Sequence, residues 1–227
     1  MRRSSFIWSI QLFLLTTLTV CGVETAAQRT VIWRMEQRIL RKIPSVQVLG
    51  QPRAVTDPEG AAIYFNGATD GFIFPSNPLE GASAFTIEVC IKPDADGPAE
   101  QRFLHLQDEQ GNRALLEIRL TDKSWALDTF LYSPKPESKC TLLDRSKTHP
   151  TDRWTWVALT YVNGHMAHFI NGVKELAGEV DFPSFAAGQV SAGVRQNKVF
   201  WFKGSIREIR FHPGALPDEE LQHAETE

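Results

Sequence analysis

The stretch WTWVALTYVNGHMAHFING, residues 154–172, decides the fold. Trp154 to Val162 is rich in aromatic and β-branched side chains, the types that fit a pleated, half-buried surface. Asn163-Gly164 follows at once, and Met166 to Ile170 resumes the apolar pattern. An Asn-Gly pair between two such runs is a strong hairpin signal, because both central turn residues must take positive φ. Asn171-Gly172 repeats the device one strand later. Trp154, Trp156 and Ala158 share a face in period two, and core packing of the two indoles against a neighbouring sheet is the expectation, with a platform for a sugar as the alternative.

On either side the same alternation recurs. Phe85 to Ile91 alternates apolar and other residues and stops at Lys92-Pro93, a half-buried strand ended by proline. Phe103 to Gln107 is a second strand. Ala114 to Leu120 is a third, with Ala114, Leu116, Ile118 and Leu120 on one face and Leu115, Glu117 and Arg119 on the other. Trp125 to Tyr132 and Trp201 to Phe211 complete the set. Pro134 to Lys147 reads as a polar, proline-bearing loop. Pro217 to Glu225 alone looks helical, with proline at the first turn and Asp218, Glu219 and Glu220 suited to a helix N-terminus. Many strands with Gly and Pro turns predict an all-β, two-sheet antiparallel jelly-roll sandwich with a short C-terminal helix. Its expected core includes Phe85, Ile87, Val89, Leu116, Ile118, Trp156, Ala158 and Ile209.

Composition is that of one globular domain. The 227 residues are 42% hydrophobic and 22% charged, which excludes a disordered chain or a coiled coil. Lys+Arg 24 against Asp+Glu 27 gives a net charge of −3, so no basic excess exists to neutralise phosphates, and nucleic acid is not an expected partner. Arg2 and Arg3 precede an apolar stretch, Phe6 to Val23, and Thr25-Ala26-Ala27 supplies small residues at a cleavage site. Residues 1–27 read as a secretory signal peptide and 28–227 as the domain, with no membrane segment beyond the signal. The expected location is secreted, periplasmic or cell-surface. Cys90 and Cys140 remain after cleavage, and in an oxidising compartment they either pair or stand as separate thiols. No Asn-x-Ser/Thr sequon occurs.

Several blocks, in order, resemble a known family. They are Ala62-Ile63-Tyr64-Phe65-Asn66-Gly67 with Asp70 and Phe72; Phe85-Thr86-Ile87-Glu88 with Ile91-Lys92-Pro93; Trp154-x-Trp156-Val157-Ala158-Leu159-Thr160; Phe169-Ile170-Asn171-Gly172; and Phe202 to Phe211 followed by Ala215 to Glu220. Together they look like the laminin-G-like jelly roll of the concanavalin A-like lectin/glucanase superfamily, over roughly residues 31–224. Pro217 stands where the family more often has a helix-capping serine. The resemblance implies the fold. It leaves function open, since the fold hosts lectins, adhesion modules, glycosidases and lyases. Loops of this superfamily often hold calcium, and Asp70 is the candidate ligand; no other cofactor is expected. Retaining glucanases of the superfamily carry Glu-x-Asp-x-x-Glu, two acids on one strand face. That pattern is absent here.

Polar residues gather on the faces of the strands opposite their apolar sides. Glu88, His105 with Gln107, Glu117 with Arg119, Asp128 and His168 lie on successive strands, and Arg195 precedes the last one. If the strands lie side by side, these residues converge on one sheet face able to bind a saccharide, with Arg119 and Arg195 suited to an acidic one. Trp201 is a further candidate contact. Arg119 is expected to face solvent or ligand. Three functions fit: a non-catalytic carbohydrate-binding or adhesion module; a polysaccharide hydrolase or lyase with His105 as general acid or base and Arg119 or Arg195 neutralising a uronate; and a structural or protein-binding domain without a sugar site.

Overall fold

The structure, a computed structural model, describes residues 29–36, 39 and 45–224. Residues 1–27, expected to be a signal peptide, lie outside the described residues. Two antiparallel sheets pack face to face, with strands numbered along the chain. The front sheet runs β10 (Glu137–Leu143), β9 (Ser124–Pro134), β8 (Arg113–Thr121), β7 (Glu100–Asp108), β15 (Gly188–Ala192), β5 (Gly71–Phe74), β2 (Gln47–Leu49), with β11 (His149–Pro150) on β9. The back sheet runs β14 (Val173–Glu179), β13 (His165–Ile170), β12 (Thr155–Val162), β6 (Phe85–Pro93), β16 (Lys203–His212), β4 (Gly60–Asn66), β3 (Arg53–Asp57), with β1 (Val31–Arg34) on β16.

The turn chemistry acts as the sequence implies. Asn163 and Gly164 take φ of 49° and 84°, and Asn171 and Gly172 take 47° and 74°. Each pair reverses the chain between neighbouring back-sheet strands. Between the sheets, Phe85, Ile87, Val89, Leu116, Ile118 and Ile209 are fully buried, with Trp125, Phe65, Phe103 and Phe211.

Three expectations are corrected. The core face of β12 is Val157, Leu159 and Tyr161, so Trp154, Trp156 and Ala158 lie on the outer side of the back sheet. There the guanidinium of Arg207 sits 4.0 Å over the Trp154 ring and that of Arg210 sits 4.9 Å over Trp156. Both faces of β12 are apolar, and such a strand carries no alternation to say which face turns inward. Residues 134–147 are not all loop. They contain β10, whose Ser138, Cys140 and Leu142 are more buried than Glu137, Lys139 and Thr141.

The C-terminal helix is only a three-residue 3₁₀ turn, Asp218–Glu220. Beyond it Leu221 is extended and packs on Ala158 and Phe169, while the N–H of Gln222 donates to Glu88 Oε1 at 2.7 Å. Side chains of the back sheet satisfy this backbone in place of helical hydrogen bonds. Cys90 and Cys140 are free thiols; Cys90 is buried on the outer side of the back sheet and Cys140 belongs to β10 of the front sheet. Burial pushes the Cys90 thiol up to about 12.

The loop between β15 and β16 positions the site described next. It begins at Gly193, with φ +79° and the Phe65 ring 2.3 Å from where a Cβ would stand. No other residue fits that backbone against that ring. The loop then folds over the outer face of β7: the N–H of Gln196 donates to His105 Nδ1 at 3.1 Å, and the N–H of Arg102 donates to Phe200 O at 2.9 Å.

Candidate functional site: the outer face of the front sheet

Five strands, β15, β7, β8, β9 and β10, build this face in rows. Cα partners place Gln189 beside Gln107, Gln107 beside Arg113, and Arg113 beside Tyr132. A second row runs His105, Leu115, Phe130, Thr141. A third runs Arg102, Glu117, Asp128. Arg102 joins it through a bulge between Arg102 and Leu104.

The third row is an ion network. Arg102 Nε lies 2.7 Å from Glu117 Oε1, and Arg119 NH2 lies 3.0 Å from Glu117 Oε2 and 2.5 Å from Asp128 Oδ2. Glu100 closes it, 3.3 Å from Arg102 and 3.1 Å from Arg119. The side chains of Glu117 and Asp128 are 3% and 2% exposed. Burial raises both carboxyls above the ordinary carboxylate range, further than the arginines pull them down. Arg119 is therefore not the solvent-facing group expected from its strand position. Its guanidinium is engaged by three carboxylates.

Above the network, a pocket of about 260 Å³ is lined by Arg113, Arg195, Leu115, Phe130 and Thr141 along with the ion pairs. The Phe130 and Tyr132 rings stack in parallel, 6.3 Å apart at 9°. The Arg113 guanidinium lies 4.4 Å from the Tyr132 centroid and 5.7 Å from that of Phe130. Neither Arg113 nor Arg195 is paired with a carboxylate among the described residues. Burial, then the nearby Arg113 and Arg102, push the Arg195 guanidinium below its ordinary value.

His105 sits beneath this cluster, 1% exposed. Its pKa falls to about 3, first through burial and then through Arg195, Arg113 and Arg102. Because Nδ1 accepts from Gln196, the neutral ring carries its proton on Nε2. That atom is buried without a hydrogen-bond partner. So are Arg113 Nε, Arg119 NH1 (near Glu100 but misaligned) and one acceptor, Asp128 Oδ1.

Of the residues singled out in the sequence, His105, Gln107, Glu117, Arg119, Asp128 and Arg195 share this face. Two do not. Glu88 is on β6 of the back sheet, where it accepts from His212 Nε2 at 2.9 Å and from Gln222. His168 points between the sheets, where its Nδ1 is 3.0 Å from Thr129 Oγ1. Burial pulls its pKa down to about 4. Trp201 is half-buried before β16 and does not line the pocket. Asp70 acts as a turn carboxylate, its Oδ1 accepting the N–H of Gln51 at 2.8 Å and the Thr69 hydroxyl at 3.3 Å. Among the described residues no group of three or more His, Cys, Asp or Glu is placed to hold a metal ion. Arg102 and Arg113 are the residues that sequence reading missed. Arg113 shares the parity of Glu117 and Arg119, which is signal enough to find it, whereas the bulge hides Arg102.

Comparison with known proteins agrees with this architecture. A model of the concanavalin A-like lectin/glucanases superfamily, of laminin-G type, matches residues 65–222. No curated protein matches the sequence. Among solved structures, one similar chain is domain 4 of AbnA, a GH43 extracellular arabinanase from Geobacillus stearothermophilus, in complex with arabinotriose. It has 22% identity and a TM-score of 0.57 over 84% of this chain and 85% of that one. The binding domain of Paraclostridial Mosquitocidal Protein 1 gives 17% and 0.56, over 78% of this chain and 45% of the other. The CBM40 of the Ruminococcus gnavus IT-sialidase, bound to α2,3-sialyllactose, gives 18% and 0.52, over 76% and 95%. At these identities the likeness is one of fold. With most of the chain matched, the protein belongs to the concanavalin A-like lectin/glucanases superfamily.

Proposed function

We propose that this is an exported, non-catalytic carbohydrate-binding module that takes an acidic saccharide on the outer face of its front sheet. One observation carries the reading: the face is short of acceptors. His105 Nε2 and Arg113 Nε are buried donors without hydrogen-bond partners, and Arg113 and Arg195 have no carboxylate among the described residues. A buried unsatisfied donor costs roughly 1–3 kcal/mol, which a carboxylate or sulfate ester on a sugar would relieve. The Phe130 and Tyr132 rings offer apolar surface beside the charges, and Asp128 Oδ1 can accept from a sugar hydroxyl. The named sugar complexes of the arabinanase domain and CBM40 support a saccharide as the ligand class.

A hydrolase or lyase reading needs His105 as acid or base. A ring buried to 1%, with its pKa near 3, is neutral at pH 7, so it has no imidazolium proton to give and is a weak base. The binding reading is tested by calorimetry with uronic-acid, sulfated and neutral oligosaccharides. Acidic ligands should bind, and more weakly as salt rises. The double variant Arg113→Ala/Arg195→Ala should lose at least about tenfold in affinity, the lower end of what a hydrogen bond to a charged group contributes. Equal binding of neutral and acidic oligosaccharides, or unchanged binding by the variant, would overturn it. Export rests on residues 1–27, and mass spectrometry of protein recovered from a secreting host should show a chain starting at Gln28; an intact Met1 start would contradict it.

A further inference from the structure

The arginine pocket has a neighbour. Along the same face, a second pocket of about 440 Å³ is lined by Gln107, Gln189, Gln196, Ser76, Asp108 and Glu109, among others. The two pockets adjoin twice. Gln107 is the direct cross-strand partner of Arg113, and Gln196 follows Arg195 in the chain. Gln189, Gln107, Arg113 and Tyr132 thus form one row across four strands. At about 4.8 Å per strand the row spans roughly 14 Å, room for two or three pyranose rings.

The chemistry changes along the row. No lysine or arginine lines the second pocket. Its charge is acidic, and Asp108 is already engaged: it accepts from the N–H groups of Gln110, Asn112 and Ala186 and from Asn112 Nδ2. What faces a ligand is amide. The side chains of Gln107 and Gln189 have no partner among the described residues. The Gln196 amide nitrogen donates to Gln189 O at 2.9 Å, which holds that side chain across the pocket with its carbonyl oxygen open to a donor. Amides both donate to and accept from hydroxyls, whereas a second anion here would meet carboxylates and no cation.

We infer that the arginine pocket and this amide pocket are two subsites for one chain, in which an acidic sugar is linked to a neutral hexose or N-acylated amino sugar. The inference rests on the acidic-saccharide reading above and adds the identity of the neighbouring residue. It excludes a homopolymer of acidic sugars as the preferred ligand.

Calorimetry on the full mature chain tests it with three probe types, each in a uronic-acid and an O-sulfated version. These are the acidic monosaccharide, a disaccharide joining it to a neutral hexose, and a disaccharide of two acidic residues. The mixed disaccharide should bind at least tenfold tighter than the other two. Gln107→Ala/Gln189→Ala should erase that gain while leaving the monosaccharide affinity unchanged, which also shows that the variant is folded. If the mixed disaccharide gains nothing, or the variant keeps the gain, the amide subsite is wrong while the arginine pocket stands. If no acidic probe binds in either version, both the arginine pocket and this extension are wrong.

Discussion

Arg119→Ala is expected to destabilise the protein by about 3–5 kcal/mol, the range for removing one partner of a buried ion pair. Among the described residues Arg119 is the only cation in contact with the Asp128 carboxylate, which is 1% exposed and already has one oxygen unpartnered. Glu117 keeps Arg102 when Arg119 is lost, so the unbalanced charge falls on Asp128. Adding Asp128→Asn to Arg119→Ala should therefore recover much of the loss. Urea denaturation followed by circular dichroism measures both. A loss below about 1 kcal/mol would mean that the network behaves as an exposed ion pair. Any binding defect of Arg119→Ala must be read against this destabilisation, which is why Arg113 and Arg195 are the better probes of ligand contact.

Acid should destabilise the fold well before its carboxylates titrate. His105 and His168 have folded pKa values of about 3 and 4 against the ordinary 6.5. Below pH 6.5 the unfolded chain takes up protons that the folded rings refuse, so stability present at pH 7 is lost as pH falls toward 4. At pH 5 each ring contributes a loss of about 2 kcal/mol, from 1.36 kcal/mol per pKa unit. Glu117 and Asp128 act with the opposite sign. Their raised folded values let the folded state hold protons the unfolded state has released, which offsets part of the loss once pH nears the carboxylate range. Urea midpoints at pH 7 and pH 5 should differ accordingly, and His105→Gln or His168→Asn should each shrink the difference by about 2 kcal/mol. Identical stability at the two values would show that both rings protonate in the folded state.

The sandwich was readable from the sequence because β6 and β8 alternate and two Asn-Gly pairs dictate the turns from β12 to β13 and from β13 to β14. The site was readable in part. Period two placed Glu117, Arg119 and Asp128 on one face correctly, since β8 and β9 are neighbours in both chain and sheet. Glu88 was misplaced because alternation says which side of a strand is polar, not which sheet the strand joins. His168 shows the opposite failure: a polar residue at an inward position, tolerated because Thr129 of the facing sheet supplies its partner. Arg102 was hidden by a bulge that breaks strand parity, and Arg113 sat one residue beyond the apolar run that defined its strand. The second pocket depends on Gln189, on a strand whose pairing to β7 is long-range and carries no local signal.

The central claim is that the ligand lies across the front sheet, and amide chemical-shift mapping tests it most directly. Titration of the labelled mature chain with an acidic oligosaccharide should shift Gln107, Arg113, Arg195 and Gln196 together and saturably. Resonances of Trp156, Glu88 and Arg210 on the back sheet should stay in place. Shifts concentrated on the back sheet, or none at saturating ligand, would contradict the account.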